Sequence, residues 1–217
     1  MRNMIDQYKS FVFDCDGVIL DSNRIKTEAF RKAMIDEPAD LVDVFIQYHK
    51  DNGGVSRYVK LQHYFTSIKK QEDYAESLDF LLQSFALIVR KELIKAPMIS
   101  GVERFLTLCQ RNNIPCFVNS GGDEEELKDV FSERGIDIFF TQILGSPTTK
   151  KENLAKLQSE NRLLQPAVFF GDAYSDYVAA AAYEIDFVYV SAVSEWDEGT
   201  NFCLQKNIPI INDFRSQ

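Results

Sequence analysis

Two aspartates separated by one residue, Asp14 and Asp16, follow an apolar run near the start of the chain and precede Gly17. Burying charge at the end of a core strand is costly unless the charge has a partner. An Asp-Gly pair between apolar runs is typical of a tight hairpin turn. At the end of a parallel strand, one carboxylate can instead act as nucleophile or metal ligand and its neighbour as acid or base. The pattern therefore predicts either a turn or a catalytic site.

A second acidic pair, Asp172 and Asp176, follows the apolar run 167–170. Asp172 or Ser175 could simply be the N-cap of the next helix. A second carboxylate at a strand end also supplies what a hard cation needs, because Mg²⁺ is typically held by one or two carboxylates and substrate phosphate oxygens. The pair indicates either a helix cap or part of a metal site.

A third apolar run ends in Ser120, Gly121 and Gly122, and an acidic run at 123–126 follows. Glycines let the backbone approach a ligand closely, and the N–H groups at a helix N-terminus cradle phosphate. Acidic residues in a first helical turn suit the helix dipole. The pattern favours a phosphate-binding loop, with a plain loop before a well-capped helix as the alternative.

A capping box, Thr149 to Glu152, places Lys150 and Lys151 in the first turn of a helix. The helix dipole disfavours cations there, and a residue that breaks a local rule is a candidate for function. The alternative is a pair of solvated surface lysines. We predict that Lys150, the first helical residue, is the functional cation, and that Lys151 replaces it if the register differs by one residue.

Short apolar runs alternate with helix-like runs over the C-terminal part of the chain. This alternation predicts an α/β fold, a parallel sheet with helices on both faces. The predicted strands are 10–14, 114–119, 139–144, 167–171 and 187–190. The predicted helices of this part are 102–111, 123–133, 150–161 and 175–183.

The segment from 23 to 95 lacks strand signals and has a helical pattern throughout. Helices are predicted at 39–48 and 79–94, and Asn52-Gly53-Gly54 marks a break between helices. We therefore expect a helical domain, residues 21–95, inserted into an α/β core made of residues 1–20 and 96–217.

The composition is that of a globular protein, with 45% hydrophobic and 26% charged residues and a net charge of −9. The negative charge and the lack of a basic block argue against nucleic acid or an anionic membrane as a partner. No apolar run reaches the roughly 18 residues that span a bilayer, and the N-terminus is polar, unlike a signal peptide. The four cysteines lack metal-ligand spacing. We expect a cytoplasmic protein with reduced thiols.

The four motifs, in this order, resemble the signature of the haloacid dehalogenase (HAD) superfamily of phosphotransferases. That signature is DxDGxxxD after the first strand, a Ser or Thr after the second, a later Lys, and GDxxxD after the fourth. The resemblance covers essentially the whole chain, and the helical insertion is similar to the C1 cap of the phosphoglycolate phosphatase and β-phosphoglucomutase branch. It implies a Rossmann-like core with a helical cap. It also implies a Mg²⁺-dependent phosphatase acting on a small phosphorylated substrate, such as a sugar phosphate or a phosphoglycolate-like acid.

The resemblance implies the following roles for the aspartates of the two acidic motifs. Asp14 would be the nucleophile that forms an aspartyl-phosphate. Asp16 would protonate the leaving group and later activate water. Asp14, Asp172 and the main-chain carbonyl of Asp16 would hold Mg²⁺, and Asp176 would have a supporting role, positioning the lysine or a metal-bound water.

The resemblance also implies roles for the other two motifs. Ser120 would bind a phosphoryl oxygen, with Gly121 beside it in the substrate-binding loop. Lys150 would neutralise charge between Asp14 and the phosphate. These roles agree with the needs of phosphoryl transfer, which depends on positioning and on neutralised oxygens.

Within the insertion, Gly54-Val55-Ser56-Arg57 resembles the substrate-specificity loop of β-phosphoglucomutase, whose arginine grips a second phosphate. Arg57 is therefore a candidate for binding the non-reacting end of the substrate, with a surface arginine at a helix start as the alternative. Lys26 stands where that mutase carries a histidine, which speaks against mutase activity. His49 and His63 are expected to be packing or surface residues. A hexose-phosphate mutase and a non-catalytic binding or regulatory module are the alternative functions.

Overall fold

The computed structural model describes residues 4–217 of the chain. Over these residues it contains a six-stranded sheet in the order β3-β2-β1-β4-β5-β6, and every neighbouring pair of strands is parallel. The strands are β1 Ser10–Phe13, β2 Cys116–Asp123, β3 Gln142–Ser146, β4 Ala167–Gly171, β5 Asp186–Val190 and β6 Ile210–Ile211. The predicted α/β class with a parallel sheet is confirmed.

The helices alternate with strands after residue 101, whereas the helices between residues 23 and 93 follow one another with no strand between them. The α-helices are α1 Asn23–Ala33, α2 Ala39–Asp51, α3 Arg57–His63, α4 Ala75–Leu93, α5 Val102–Arg111, α6 Glu124–Glu133, α7 Lys150–Ser159, α8 Tyr174–Ala181 and α9 Gly199–Lys206. Short 3₁₀ turns span Met4–Asp6 and Asp137–Phe139, and a π-helical turn spans Tyr64–Ile68. None of the helices within residues 4–217 is both long and apolar enough to cross a membrane.

The central strand, β1, shows why this sheet needs two apolar faces. It lies between β2 and β4, and all four of its residues are buried. Because side chains alternate along a strand, Phe11 and Phe13 pack into one apolar cluster and Val12 into the other. Helices that cover both faces of the sheet thus explain why β1 is continuously apolar.

The hairpin interpretation of the Asp14–Gly17 segment is wrong. Both neighbours of β1 are parallel, so the chain does not fold back beside it. Gly17, with φ +74°, instead makes a small turn in which its N–H donates to the Leu20 carbonyl at 2.8 Å. This turn leads the chain from the sheet edge into α1.

Several predicted boundaries differ from the structure. Strand β2 extends to Asp123, with a register irregularity after Asn119, and α6 begins one residue later than predicted. The strand predicted from residue 139 begins at Gln142, because a 3₁₀ turn occupies Asp137–Phe139. Helix α9 and strand β6 were not predicted. A strand of two residues such as β6 leaves no periodic pattern to detect.

The four helices α1 to α4, called the insertion below, pack together through aromatic side chains. The rings of Phe30 in α1 and Phe85 in α4 stack at a centroid distance of 4.0 Å, and Phe45 of α2 meets Phe30 edge-on at 5.1 Å. These residues belong to the same buried apolar cluster as Phe11 and Phe13 of β1. The insertion therefore packs against the sheet without a break in the apolar core.

Candidate active site

Three buried carboxylates meet at the carboxyl ends of β1 and β4. Oxygen atoms of Asp14, Asp172 and Asp176 all lie within 4.8 Å of one another. They come together because β1 and β4 are adjacent and in register, with Phe13 opposite Phe170. We call these three residues the carboxylate cluster. Like charges at such distances repel, so the cluster needs positive charge beside it.

Asp14 is held by contacts of its main-chain N–H and of both its carboxylate oxygens. Its own N–H donates to the Phe170 carbonyl at 2.9 Å, and the N–H of Cys15 donates to Asp14 Oδ1 at 2.7 Å. Asp14 Oδ2 lies 3.0 Å from the Nζ of Lys150. Burial raises the pKa of Asp14 to about 7, although the Lys150 ammonium acts to lower it. The side chain is thus held in one orientation at the strand end.

Lys150 supplies the positive charge. The capping box of Thr149 and Glu152 is formed, and it makes Lys150 the first residue of α7. Its buried ammonium forms ion pairs with both Asp14 and Asp176. Burial acts to lower the pKa of Lys150, but these two carboxylates outweigh burial and raise it. Lys151 is exposed, so the register places Lys150 in the site.

Asp176 braces this arrangement from α8. Besides pairing with Lys150, its Oδ2 accepts a hydrogen bond from the Ala173 N–H at 3.0 Å. Gly171 at the end of β4 leaves room for it, because a Cβ there would lie 2.6 Å from the Asp176 carboxyl carbon. Asp176 therefore links the lysine, the strand end and the start of α8.

Asp172 faces the turn that follows β1. Asn23 donates from Nδ2 to Asp172 Oδ2 at 2.6 Å. Gly17 lies so close that a Cβ in its place would be 2.6 Å from the Asp172 carboxyl carbon. Burial raises the pKa of Asp172 well above its ordinary value, and the charges of Asp14 and Asp176 raise it further. A nearby cation would offset this repulsion among the carboxylates.

Asp16 stands apart from the cluster and has its own cation. Its carboxylate forms an ion pair with Lys26 of α1 and accepts a hydrogen bond from Ser22 Oγ at 2.5 Å. Burial acts to raise the pKa of Asp16, but Lys26 and Ser22 outweigh burial and hold it below its ordinary value. This contact was not predicted from the sequence. The available signal was a lysine on the first turns of a helix whose neighbours Thr27, Ala29 and Phe30 are apolar or small.

Ser120 and Gly121 lie on β2, next to β1. Ser120 is fully buried, and its Oγ accepts a hydrogen bond from the Gly122 N–H at 3.0 Å. Asn119, one residue earlier, donates to the Lys150 carbonyl at 2.9 Å and so ties β2 to the start of α7. The sequence analysis did not single out Asn119, whose buried side chain holds the first turn that carries Lys150.

The predicted break at Gly53-Gly54 is where the insertion touches this part of the sheet. Ser175 Oγ donates to the Gly53 carbonyl at 2.9 Å. A Cβ on Gly54, whose φ is +73°, would lie 3.0 Å from Lys150 Nζ, and a Cβ on Gly121 would lie 2.7 Å from the Gly54 carbonyl carbon. The loop therefore covers Lys150 and the β2 end through bare backbone.

Arg57 is buried, so its interpretation as a surface residue is wrong. Its guanidinium binds the carboxylate of Glu126 in α6 through two hydrogen bonds of 2.6 and 3.1 Å and lies 5.0 Å from the centre of the Phe85 ring. Next to it, Tyr58 donates to Asp123 Oδ2 at 2.7 Å. Helix α3 is thus attached to the start of α6, and the fork of Arg57 is occupied by a protein carboxylate.

Comparison with known families identifies the fold. The model of the haloacid dehalogenase-like hydrolases matches residues 8–183, and the chain belongs to this family. No curated protein sequence matches the chain.

Solved structures share the fold of this chain at low sequence identity. A protein from Haemophilus somnus described as a predicted phosphoglycolate phosphatase is 18% identical, with a TM-score of 0.75 over 96% of this chain and 95% of its own. The β-phosphoglucomutase of Clostridium difficile is 18% identical, with a TM-score of 0.74 over 95% of this chain and 91% of its own. A magnesium-bound HAD hydrolase from Bacillus subtilis is 16% identical, with a TM-score of 0.62 over 85% of this chain and 89% of its own.

Proposed function

We propose that this hydrolase is a Mg²⁺-dependent phosphatase that cleaves a small phosphorylated metabolite through an aspartyl-phosphate on Asp14. The contact between Asp14 and Lys150 at the end of β1 carries this proposal, because it joins a fixed carboxylate to a buried cation. Such a pair suits phosphoryl transfer, in which positioning and charge neutralisation supply most of the catalysis.

In the first step, an oxygen of Asp14 forms a bond to phosphorus while the bond from phosphorus to the ester oxygen breaks. The Lys150 ammonium neutralises charge on the phosphoryl oxygens, and the hydroxyl of Ser120 donates to one of them. The departing alcohol oxygen takes a proton from Asp16. In the second step, Asp16 takes a proton from water, whose oxygen attacks phosphorus and releases Asp14 and inorganic phosphate.

The pairing of Asp16 with Lys26 bears on the proton transfers. An ionised Asp16 is ready to act as the base of the second step, because Lys26 and Ser22 hold its pKa low. To act as the acid of the first step it must bind a proton, which becomes easier when Lys26 moves away. Movement of α1 with the substrate would therefore switch Asp16 between its two roles.

The carboxylate cluster fits a hard divalent cation, because its donors are oxygens and its like charges lack full compensation. Asp14, Asp172 and the main-chain carbonyl of Asp16 would hold Mg²⁺, which would supply positive charge to the phosphoryl oxygens when bound. The magnesium-bound relative from Bacillus subtilis supports this choice of metal.

We further propose that the helical insertion, residues 21–95, is a C1-type cap on a core of residues 1–20 and 96–217. Its contacts with the core through Gly53, Gly54 and Arg57 close the site from solvent. Substrate would enter when these contacts separate, and water would be excluded when they form again. The buried thiols of all four cysteines support a place in the reducing cytoplasm.

The hexose-phosphate mutase is the second candidate, supported by the fold of the Clostridium difficile enzyme. Two contacts in this chain speak against it. Arg57 is neutralised by Glu126, which leaves it no free fork for a second phosphate, and Asp16 is paired with Lys26. A binding module without activity is disfavoured by the complete set of carboxylates and lysine around Asp14.

The test is phosphate release from a panel of phosphorylated metabolites and p-nitrophenyl phosphate, with Mg²⁺ and with excess chelator. We expect Mg²⁺-dependent hydrolysis that Asp14→Asn abolishes, because an amide cannot form the acyl-phosphate. Circular dichroism of the variant should match the wild type. Wild-type turnover by Asp14→Asn, or full activity in chelator, would contradict the mechanism, and hexose-phosphate interconversion primed by a bisphosphate would favour the mutase.

A further inference from the structure

A second buried lysine, Lys60 of α3, has an unusual environment. The residue is only 3% exposed. Its Nζ lies 2.8 Å from Nδ1 of His49 and 3.1 Å from the His49 carbonyl oxygen. An ammonium has three N–H donors, so these two contacts leave one donor over. Within residues 4–217, no carboxylate lies within ion-pair distance of Lys60. Its charge is therefore buried without a direct counter-ion.

Three other cations of this part of the described chain, two buried and one half-buried, have carboxylate partners. Lys150 pairs with Asp14, Lys26 with Asp16, and Arg57 with Glu126. Burying an unpaired ammonium is costly, so a chain that carries one needs a reason to keep it. Among the buried cations that the structure describes around the site, Lys60 is the one without a carboxylate partner.

His49 also has a polar atom without a partner. Its Nε2 is buried and has no hydrogen-bond partner in the part of the chain that the structure describes. The ring packs edge-on against Phe30, with centroids 4.8 Å apart, and Nδ1 is the atom that faces Lys60. Packing explains the ring, but it does not explain two adjacent polar groups that each have an unused hydrogen-bonding position.

The position of Lys60 relates it to Asp16. The pKa of Lys60 is lowered to about 7, mainly by burial and also by the charge of Lys26, while the charges of Asp16 and Glu195 act to raise it. Contacts through α1 connect the two residues, because His49, which holds Lys60, packs against Phe30, one helical turn after Lys26, and Lys26 pairs with Asp16. Asp16 is the proposed proton donor to the leaving alcohol, and these contacts relate Lys60 to the leaving-group side of the site.

We propose that Lys60, held by His49, binds a carboxylate on the alcohol part of the substrate. This site rests on the proposed phosphatase function and identifies its substrate class as a phosphate ester of a hydroxy acid or sugar acid. An anion would accept a hydrogen bond from the unused N–H of Lys60, and its negative charge would favour the charged form of the amine. A carboxylate fits better than a second phosphate, because the guanidinium fork suited to phosphate, that of Arg57, is occupied by Glu126.

The experiment compares matched esters that differ only in the carboxylate. One pair is 6-phosphogluconate and sorbitol 6-phosphate, and a shorter pair is 3-phosphoglycerate and glycerol 3-phosphate. Fructose 1,6-bisphosphate and fructose 6-phosphate test a second phosphate instead. For the wild type with Mg²⁺ we expect kcat/KM to be about 10- to 100-fold higher for the carboxylate member of at least one pair, the range that one charge-assisted hydrogen bond supports.

Lys60→Met should remove this preference. We expect it to lower kcat/KM for the carboxylate ester to near that of its alcohol partner, and to change the value for the alcohol ester less than about threefold. Lys50→Met is the matched control, because it removes the same charge from an exposed position of α2 next to His49. It should keep the preference of the wild type.

Three results would overturn the assignment. These are equal turnover of the two members of every pair, equal loss on both members in Lys60→Met, and a preference for the bisphosphate alone. Each of them leaves the phosphatase proposal standing as long as Asp14-dependent turnover of p-nitrophenyl phosphate is present. Absence of Asp14-dependent turnover of every ester would overturn the phosphatase function itself.

Discussion

Lys150 and Lys60 are both buried lysines, but their surroundings have opposite effects on their charge. Lys150 lies between two carboxylates, which raise its pKa despite burial. Lys60 has a histidine and a carbonyl group as neighbours, and burial lowers its pKa to about 7. The charge of the core lysine is therefore neutralised inside the protein, whereas the lysine of the insertion has no carboxylate partner among the described residues.

This difference separates two kinds of functional residue. Lys150 belongs to a built ion network that holds Asp14 in place before any ligand arrives. Lys60 keeps an unsatisfied charge at the cost of folding free energy, as expected at a site that a ligand completes. The two lysines should therefore respond in opposite directions when their charge is removed, and the following predictions test that contrast.

Removal of the charge at Lys150 should have the largest effect. Lys150→Met leaves Asp14 and Asp176 buried without their cation, so we expect turnover to fall by about 100-fold or more. The free energy of unfolding, measured in chelator, should fall by about 3–5 kcal/mol, as for other broken buried ion pairs. Activity assays and urea titration measure the two effects.

Lys151→Met is the control for this change, because Lys151 is the next residue of the same helix and is exposed. It should leave turnover and stability near those of the wild type. If Lys151→Met were the crippling change and Lys150→Met were mild, the placement of Lys150 beside Asp14 would be wrong.

Loss of the ion pair between Arg57 and Glu126 should have the second largest effect. Unlike Lys60, Arg57 is a cation of the insertion that has a carboxylate partner. The side chains of Arg57 and Glu126 are 6% and 9% exposed. Glu126→Gln should lower the free energy of unfolding by about 3 kcal/mol, because it leaves the guanidinium buried and uncompensated. The exposed pair Arg90–Glu133, which joins another helix of the insertion, α4, to α6, is the control, and Glu133→Gln should cost less than about 1 kcal/mol.

Kinetics of Arg57→Ala then show which partner matters for function. If Arg57 binds the substrate, as its motif predicts, KM for anionic esters rises in this variant and a generic ester is little affected. If Glu126 is its partner throughout the cycle, Arg57→Ala lowers stability as Glu126→Gln does and leaves the preference between esters unchanged. The ratio of the two KM values decides between these roles.

The two lysines also show how far sequence reasoning reaches. Asp14, Asp172 and Lys150 were predicted because each follows a strand end or begins a helix, and those features depend on neighbouring residues alone. The parallel sheet then brings the strand ends to one edge. The pairing of Lys60 with His49 was not predicted, because it depends on how α2 and α3 pack together.

The same limit explains the partner of Arg57. Glu126 is 69 residues away in the sequence and lies in the core, so no local pattern connects the two residues. The motif around Arg57 predicts a contact with the substrate, whereas the structure places the residue at the contact between the insertion and the core. Only the packing of α3 against α6 shows that a carboxylate of the protein occupies its guanidinium.

Removal of the charge at Lys60 should stabilise the protein at neutral pH. Lys60→Met places an apolar side chain of similar length in the same buried space and removes a charge without a counter-ion. We expect the free energy of unfolding to rise by about 2 kcal/mol, within the range seen when buried charges are replaced by apolar residues. Urea titration in the absence of ligand measures it, and Lys50→Met should leave it unchanged.

The pH dependence of this gain has a definite sign. The pKa of Lys60 in the folded protein, about 7, is below its ordinary value of 10.5, so the unfolded chain binds more protons between these values. Wild-type stability therefore rises with pH across this range relative to Lys60→Met. The gain should be largest at pH 7 and below and should vanish near pH 10. The groups whose charges bear on Lys60 are His49, Lys26, Asp16, Glu195 and Lys150. A gain that is independent of pH would mean that packing, and not charge, distinguishes Lys60 from Lys150.

The smallest effect is expected at Tyr58, whose hydroxyl makes one of the hydrogen bonds between the insertion and the core. Its hydroxyl is exposed on the surface beside Arg57 and donates to Asp123, so Tyr58→Phe removes one hydrogen bond and leaves both partners access to water. We expect a loss of about 0.5–1 kcal/mol in the free energy of unfolding and less than twofold change in kcat/KM. Asp123 should not be changed in its place, because its Oδ1 also accepts the N–H of Glu126 at 2.9 Å and caps α6. A loss as large as that of Glu126→Gln would show that closure of the insertion depends on this hydrogen bond as much as on the buried charges.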